Sequence, residues 1–87
     1  MKIIEIGAIW CSSCLVMKKV LTKVKQKFPN LEWIEYDLDF DEEASHYQAL
    51  EKLPVLIFEQ DGMECSRLIG ERTAEEVITW LSENINP

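Results

Sequence analysis

The apolar residues of the chain recur with two different periods along its length. Runs rich in β-branched and aromatic side chains predict four strands, at residues 2–8, 31–37, 54–60 and 63–69. Helical spacing of apolar residues predicts three helices, at residues 12–28, around 40–50 and at 73–85. The predicted order along the chain is therefore β-α-β-α-β-β-α.

Each predicted helix has one apolar face that would pack against the sheet. The residues on these faces are Met17, Leu21, Val24 and Phe28, then Phe40, Ala44, Tyr47 and Leu50, and finally Ala74, Val77, Ile78, Leu81 and Ile85. The last helix also has a start signal, because Thr73 and Glu76 form the Thr-x-x-Glu pattern of a capping box.

The connections between the strands predict their directions. A helix joins the first two strands, so these should be parallel with a right-handed crossover. Asp61-Gly62 is a strong two-residue hairpin signal and makes the last two strands antiparallel, while Gly70 ends the fourth. The pattern therefore predicts an α/β fold with a four-stranded mixed sheet flanked by three helices.

The length and charge of the chain predict how many domains it has and which kinds of partner it lacks. The 87 residues predict a single domain, residues 1–87, because typical domains hold roughly 100–150 residues. A net charge of −7 argues against nucleic acid as a partner. No apolar run approaches the ~18–20 residues of a membrane span. Glu5 interrupts the apolar start of the chain, so this segment is not predicted to be a signal peptide. We expect a cytoplasmic monomer that acts without a membrane.

The chemistry centres on the stretch Trp10-Cys11-Ser12-Ser13-Cys14, where the first strand gives way to the first helix. Three cysteines are too few for a secreted disulfide framework, and a CxxC in the cytosol is more often catalytic or metal-binding. The helix N-terminus would stabilise a thiolate at Cys11. Cys14 lies one turn further along the same face and could resolve a mixed disulfide by thiol–disulfide exchange.

Four features resemble the thioredoxin family: "WCSSC", Leu53-Pro54-Val55, the Asp-Gly turn and Gly70. That family carries WCxxC, most often with Gly-Pro where this chain has two serines, a cis-proline that opens the third shared strand, and a glycine after the hairpin. The resemblance covers nearly all of the chain and lacks only the family's first strand and helix. It implies a thioredoxin-like three-layer fold of minimal, glutaredoxin-like size.

The resemblance also implies roles for individual residues. Cys11 would attack a substrate disulfide, Cys14 would resolve the product, and Trp10 would shield the site. A cis Pro54 would pack against the cysteines and leave the backbone of Leu53 free to pair with an extended substrate segment, with Gly70 beside it. An ordinary trans proline at a strand start is the alternative for Pro54.

Glu5 lies six residues before Cys11, where thioredoxins carry a buried Asp that assists proton transfer at the second cysteine. Burial would raise the pKa of its carboxyl towards the working range of a general base. Glu5 is therefore a candidate base for Cys14, and a partly exposed strand residue is the alternative. Glu35 stands where the resemblance would place a lysine near this carboxylate.

The implied activity is reduction of protein disulfides, with no bound cofactor and with electrons from a reductase or a low-molecular-weight thiol. A glutaredoxin role is disfavoured, because such sites usually read Cys-Pro-Tyr-Cys and need cations for glutathione. The alternative is a non-catalytic binding module whose CxxC holds a metal or is idle. A zinc site needs four ligands, and only Cys65 and His46 could add to the pair, so no metal site is predicted. Cys65 is expected to be a small buried hydrophobe, with regulatory oxidation or glutathionylation as the alternative, and His46 is expected to be solvated.

Overall fold

The computed structural model describes residues 1–48 and 52–85 and confirms the predicted order of elements. The elements are β1 (Lys2–Gly7), α1 (Ser12–Lys27), β2 (Glu32–Asp37), a 3₁₀ helix (Glu42–Tyr47), β3 (Val55–Gln60), β4 (Met63–Ile69) and α2 (Ala74–Ile85). The predicted fold class is confirmed, and the second of its three helices has 3₁₀ geometry.

The four strands form one mixed sheet in the order β2-β1-β3-β4. β1 is parallel to β2 and antiparallel to β3, and β3 pairs with β4 as an antiparallel hairpin. The hairpin turn places Asp61 and Gly62 at φ of 55° and 78°, the left-handed region that a primed two-residue turn requires. Because β1 and β3 lie at the centre, their side chains are buried on both sides of the sheet.

One side of the sheet, here called the helical face, packs against α1 and α2. Its buried core consists of Ile3, Leu56 and Phe58 from the strands, Met17, Leu21 and Val24 from α1, and Val77 and Leu81 from α2. The predicted inner faces of these two helices are therefore confirmed. The capping box is also present, since the Glu76 N–H donates to the Thr73 hydroxyl at 3.1 Å and the Thr73 N–H donates to the Glu76 carboxylate at 3.2 Å.

The opposite side, here called the 3₁₀ face, is covered by the 3₁₀ helix. Its buried core consists of Ile4, Ile6, Ala44, Val55 and Ile57, with Tyr36, Tyr47 and Leu53 among the residues packed around it. Successive residues of β1 and β3 alternate between the two faces, as the two-residue period of a strand dictates.

The predicted second helix is partly wrong. Ala44 and Tyr47 do pack against the sheet, but Phe40 precedes the helix and is 74% exposed. The Asp37 carboxylate accepts hydrogen bonds from the backbone N–H groups of Asp39 and Phe40, which closes a turn before the helix can begin. Leu50, the last residue of the predicted face, lies outside the described residues.

Cys65 is exposed, so the prediction that it is a buried hydrophobe is wrong. On β4, Glu64 pairs with Glu59 and Ser66 pairs with Phe58, which leaves Cys65 as the extra residue of a β-bulge. The prediction depended on the tendency of free cysteine to be buried, and the bulge places this one in solvent instead. His46 is exposed, as predicted.

Among the described residues, no helix is long and apolar enough to cross a membrane.

Candidate functional site

The two cysteines lie where the chain leaves β1 and enters α1. Cys11 is the N-cap residue of α1, with extended φ and ψ of −90° and 109°, and its backbone N–H donates to the Ala8 carbonyl at 3.2 Å. Its sulfur accepts a hydrogen bond from the backbone N–H of Cys14 at 3.2 Å. The Cys11 Sγ thus takes the position that a Ser or Asp oxygen usually occupies at an N-cap. A negative charge on this sulfur would face the free N–H groups of the helix terminus.

The two thiols have different surroundings. Cys11 keeps 8% of its surface exposed and Cys14 keeps 4%. Burial raises the pKa of the Cys14 thiol to about 12, and its hydrogen bond to Cys11 and the nearby charge of Glu5 act in the same direction. Cys14 therefore holds its proton at neutral pH unless a neighbouring base removes it.

Glu5 is buried in the middle of β1, with 6% of its surface exposed. The prediction of burial is confirmed, and the alternative of a partly exposed strand residue is wrong. Loss of hydration raises the pKa of the Glu5 carboxyl, and Glu35 raises it further, while Lys25 and Lys18 lower it. Within β1 the next residue on the same face is Gly7, which lies directly below Cys14.

A cavity of about 150 Å³ joins these groups, and Glu5, Gly7 and Cys14 all line it. A Cβ atom added at Gly7 would lie 3.2 Å from the Cys14 sulfur, so glycine gives this thiol room beside the strand. Sequence reasoning missed Gly7. The available signal was a glycine inside a strand, which often marks a close approach by another group.

The loop before β3 borders the same cysteines. The Leu53–Pro54 peptide bond is cis, as the resemblance implied, and Leu53 packs against the cluster of Ala8, Cys11 and Cys14. Gly70, at φ of 86°, donates its N–H to the Pro54 carbonyl at 2.8 Å. An open groove of about 420 Å³ runs between this loop and α1, lined by Leu53, Gly70, Ser13, Lys52, Ile69, Glu71 and Arg72.

Trp10 projects from the loop before α1 and is exposed. Its indole N–H donates to the Asp39 carboxylate at 2.7 Å, which ties this loop to the turn that follows β2. Ile9 and Phe40 are also exposed, so large apolar side chains stand on both loops. Sequence reasoning missed Asp39, because the contact spans 29 positions and no local pattern announces it.

In the part of the chain that the structure describes, no group of three or more His, Cys, Asp and Glu side chains is arranged to hold a metal ion.

Comparison with known families and proteins gives a consistent result. The family model described as Thioredoxin matches residues 1–83. Thioredoxin H-type from Oryza sativa subsp. indica is 30% identical over 70 residues, which cover 80% of this chain and 57% of the relative. Thioredoxin from Chlamydia trachomatis serovar D is 24% identical over 82 residues, which cover 94% of this chain and 80% of the relative. The chain spans only 57% to 63% of the length of four plant relatives that it matches.

Solved structures show the same fold. The crystal structure of thioredoxin from Trypanosoma brucei brucei superposes with a TM-score of 0.86 at 21% identity, over 99% of this chain and 75% of that chain. Mitochondrial thioredoxin 3 from Saccharomyces cerevisiae, in its oxidized form, gives a TM-score of 0.76 at 25% identity, over 97% of this chain and 74% of that chain.

Proposed function

The chain belongs to the thioredoxin family, and from this premise we propose that it is a thiol–disulfide oxidoreductase that reduces protein disulfides through Cys11 and Cys14. The observation that carries the proposal is the unequal pair of thiols at the start of α1. Cys11 caps the helix, whereas Cys14 is held protonated beside a buried carboxyl.

In the first step the Cys11 thiolate attacks one sulfur of a substrate disulfide. A Cys11–substrate disulfide forms, the substrate's own S–S bond breaks, and the second substrate sulfur leaves as a thiolate. The free N–H groups at the N-terminus of α1 favour the negative charge on the attacking sulfur. The Cys14 N–H, which already donates to Cys11 Sγ at 3.2 Å, is one of these groups.

In the second step Cys14 attacks Cys11 Sγ. A Cys11–Cys14 disulfide forms, the mixed disulfide breaks, and the remaining substrate sulfur leaves as a thiolate, so two electrons pass from the protein to the substrate. Cys14 must first lose its proton. We assign this proton to the Glu5 carboxylate, since both groups line the same cavity and burial brings the basicity of Glu5 closer to that of a thiol.

The substrate would lie along the groove beside the cis-proline loop. Leu53 packs against the cluster that contains both cysteines, and Gly70 borders the groove without a side chain that would obstruct it. An extended substrate segment could pair with the backbone of Leu53, which is the strand-addition mode of peptide recognition. Pro54 would hold that backbone in place, and Trp10 would cover the other side of the bound disulfide.

The proposed partners are proteins with accessible disulfides, together with a reductase or a low-molecular-weight thiol that returns two electrons to the Cys11–Cys14 disulfide. Such a cycle requires a reducing compartment, and the cytoplasm remains our prediction.

The test is site-resolved alkylation of the folded, reduced protein at pH 7, read by mass spectrometry. We expect Cys11 to react at least ~10-fold faster than Cys14, and faster than the exposed Cys65, which lies at no helix terminus. Cys11→Ser should abolish reduction of a protein disulfide, and Cys14→Ser should accumulate mixed disulfides with the substrate. Cys65→Ser is the matched control and should retain full activity.

Equal alkylation rates at the three cysteines, or full activity in Cys11→Ser, would contradict the assignment. A protein with a reactive Cys11 that reduces no disulfide would instead favour the non-catalytic binding module.

A further inference from the structure

The cavity between Glu5 and Cys14 has two charged residues at its mouth that the proposed mechanism does not use. They are Lys18 and Glu35, whose Nζ and Oε1 atoms lie 3.9 Å apart. Their side chains are 59% and 58% exposed, in contrast to the buried Glu5 at the back of the same cavity. The pair therefore forms a solvent-exposed part of the cavity lining, and Glu5 forms a buried part of it.

The fold brings these two residues together from different elements. Glu35 is the register partner of Glu5 across the parallel β1–β2 pair, so both side chains project from the helical face. Lys18 lies four residues after Cys14 on α1, which places it one turn along the same side of the helix. The α1 crossover thus brings the Lys18 ammonium to the Glu35 carboxylate, and Glu35 is the neighbour of Glu5 on the adjacent strand.

We propose that the Lys18–Glu35 pair is a positioning device that sets the charge state of Glu5. In this arrangement Glu35 disfavours a second negative charge beside it, and Lys18 favours one. The pair thereby tunes the readiness of Glu5 to exchange a proton with Cys14. The link to Cys14 rests on the proposed function, whereas the control of the Glu5 charge does not.

Other groups also face Glu5, and among them Lys25 lowers the pKa of its carboxyl as Lys18 does. Besides the pair, α1 contributes Cys14 and Lys25, and Lys25 holds its ammonium 5.4 Å from the centroid of the Trp33 ring. β2 contributes Tyr36 and Asp37 to the cavity wall. From β3, the residue paired with Glu5 is Leu56, which is uncharged. Besides burial, which is the main cause, Glu35 raises the pKa of Glu5, while Lys25 and Lys18 lower it.

The pair is expected to contribute little to stability. Both side chains are more than half exposed, and ion pairs of this kind contribute about 0–1 kcal/mol to stability. Only Lys18 among the lysines of α1 lines the cavity and contacts Glu35. Variants of the pair should therefore fold normally, so that changes at Glu5 can be measured.

The experiment is an NMR titration of the Glu5 side-chain carboxyl carbon in the reduced 87-residue protein. We expect Lys18→Gln to move the titration midpoint to higher pH and Glu35→Gln to move it to lower pH, each by roughly 0.5 pH unit. The titration midpoint of the double variant should lie closer to that of the wild type than the midpoint of either single variant does, because the double variant loses one positive and one negative charge.

Matched controls separate this effect from a change in net charge. Lys19→Gln removes the same charge from the next, exposed position of α1, and Glu32→Gln removes one from the other face of β2. Neither should move the midpoint appreciably. Lys25→Gln is a positive control and should raise it.

Shifts of the two single variants in the same direction, or shifts no larger than those of Lys19→Gln and Glu32→Gln, would overturn the proposal. The rate at which Cys14 resolves a mixed disulfide, measured against pH in the same variants, tests the proposed function separately. Titration midpoints that move as expected support the control of the Glu5 charge state by the pair, whatever the resolving rate does. If the pH dependence of the resolving rate does not shift with these midpoints, Glu5 does not take the proton of Cys14.

Discussion

The two faces of the sheet share the central strands β1 and β3 but differ in function. One face borders the thiol site, and the other forms an apolar core. On the helical face, β1 presents Glu5 and Gly7 to a cavity beneath Cys14. On the 3₁₀ face, the same strand presents Ile4 and Ile6 to an apolar core with Ala44, Val55 and Ile57. Because side chains of a strand alternate, one strand can hold reactive groups on one side and packing groups on the other.

Several polar side chains at the rim of the 3₁₀ face are hydrogen-bonded to one another. The Tyr47 hydroxyl donates to the Glu59 carboxylate at 3.1 Å. The Arg67 guanidinium donates to the Tyr47 carbonyl at 2.8 Å and to both carboxylate oxygens of Glu64. These contacts hold the end of the 3₁₀ helix to β3 and β4. The comparison therefore predicts that substitutions on this face change stability and leave the thiol chemistry intact.

The largest effect is expected for Ile57→Ala, at the centre of the 3₁₀ face. Ile57 is fully buried, and removing its side chain should lower the free energy of unfolding by about 2–5 kcal/mol. Denaturant unfolding measures this loss. Ile57→Val is the graded control, with an expected loss of about 0.5–1.5 kcal/mol.

In the folded Ile57→Ala protein, the ratio of the alkylation rates of Cys11 and Cys14 should equal that of the wild type. A changed ratio would show that the two faces are coupled, and it would contradict the expectation that substitutions on the 3₁₀ face leave the thiol chemistry intact.

An effect of opposite sign is expected for Glu5→Gln on the helical face. Burial raises the pKa of Glu5 above its usual 4.5, so the folded protein retains a proton that the unfolded chain releases. The stability of the wild type should therefore fall as the pH rises from about 4.5 to the pKa of Glu5 in the folded state, and then level off. Each unit of that raised pKa corresponds to about 1.4 kcal/mol.

Glu5→Gln removes this titration and should be more stable than the wild type, with a gain that grows across the same pH window. Unfolding free energies measured at several pH values test it, and Glu32→Gln is the exposed control. The resolving step by Cys14 should become slower, while the first attack by Cys11 should change little. A gain independent of pH, together with an unchanged resolving rate, would count against the burial argument and the proton-transfer role alike.

The smallest effect is expected for Tyr47→Phe at the rim of the 3₁₀ face. The variant loses the hydrogen bond to Glu59, which should cost about 0.5–1.5 kcal/mol of unfolding free energy. Tyr36→Phe is a suitable control, because it removes a hydroxyl from the ring stacked on Tyr47 and leaves the Glu59 contact in place. Equal losses in the two variants would mean that the Glu59 hydrogen bond adds no stability.

Much of the fold follows from patterns that span only a few residues. The strand and helix periods, the Asp61-Gly62 turn and the Thr73–Glu76 capping box all agree with the structure. The closeness of Cys11 and Cys14 is equally local, since three positions at a helix start bring both residues to one face. Local backbone geometry and side-chain spacing suffice for these features, because the interacting groups are neighbours along the chain.

Two sequence predictions failed because of hydrogen bonds or strand pairings that the local sequence does not reveal. Phe40 has helical spacing relative to Ala44, but the Asp37 carboxylate closes a turn around the backbone of residues 39 and 40. Cys65 was predicted to be buried because free cysteine usually is, but a bulge in the β3–β4 pairing exposes it. In neither case does the local sequence show how the neighbouring backbone groups are paired.

By itself the sequence determined the order of elements, the directions of the strands and the placement of two thiols at a helix start. Only the tertiary structure decided that Glu5 is buried, that Gly7 makes room for the Cys14 sulfur, and that Lys18 and Glu35 meet at the cavity mouth. The reason is physical. Periodicity is set between near neighbours, whereas burial and charge pairing depend on which distant segments exclude water together, and that depends on the packing of α1 across β1 and β2.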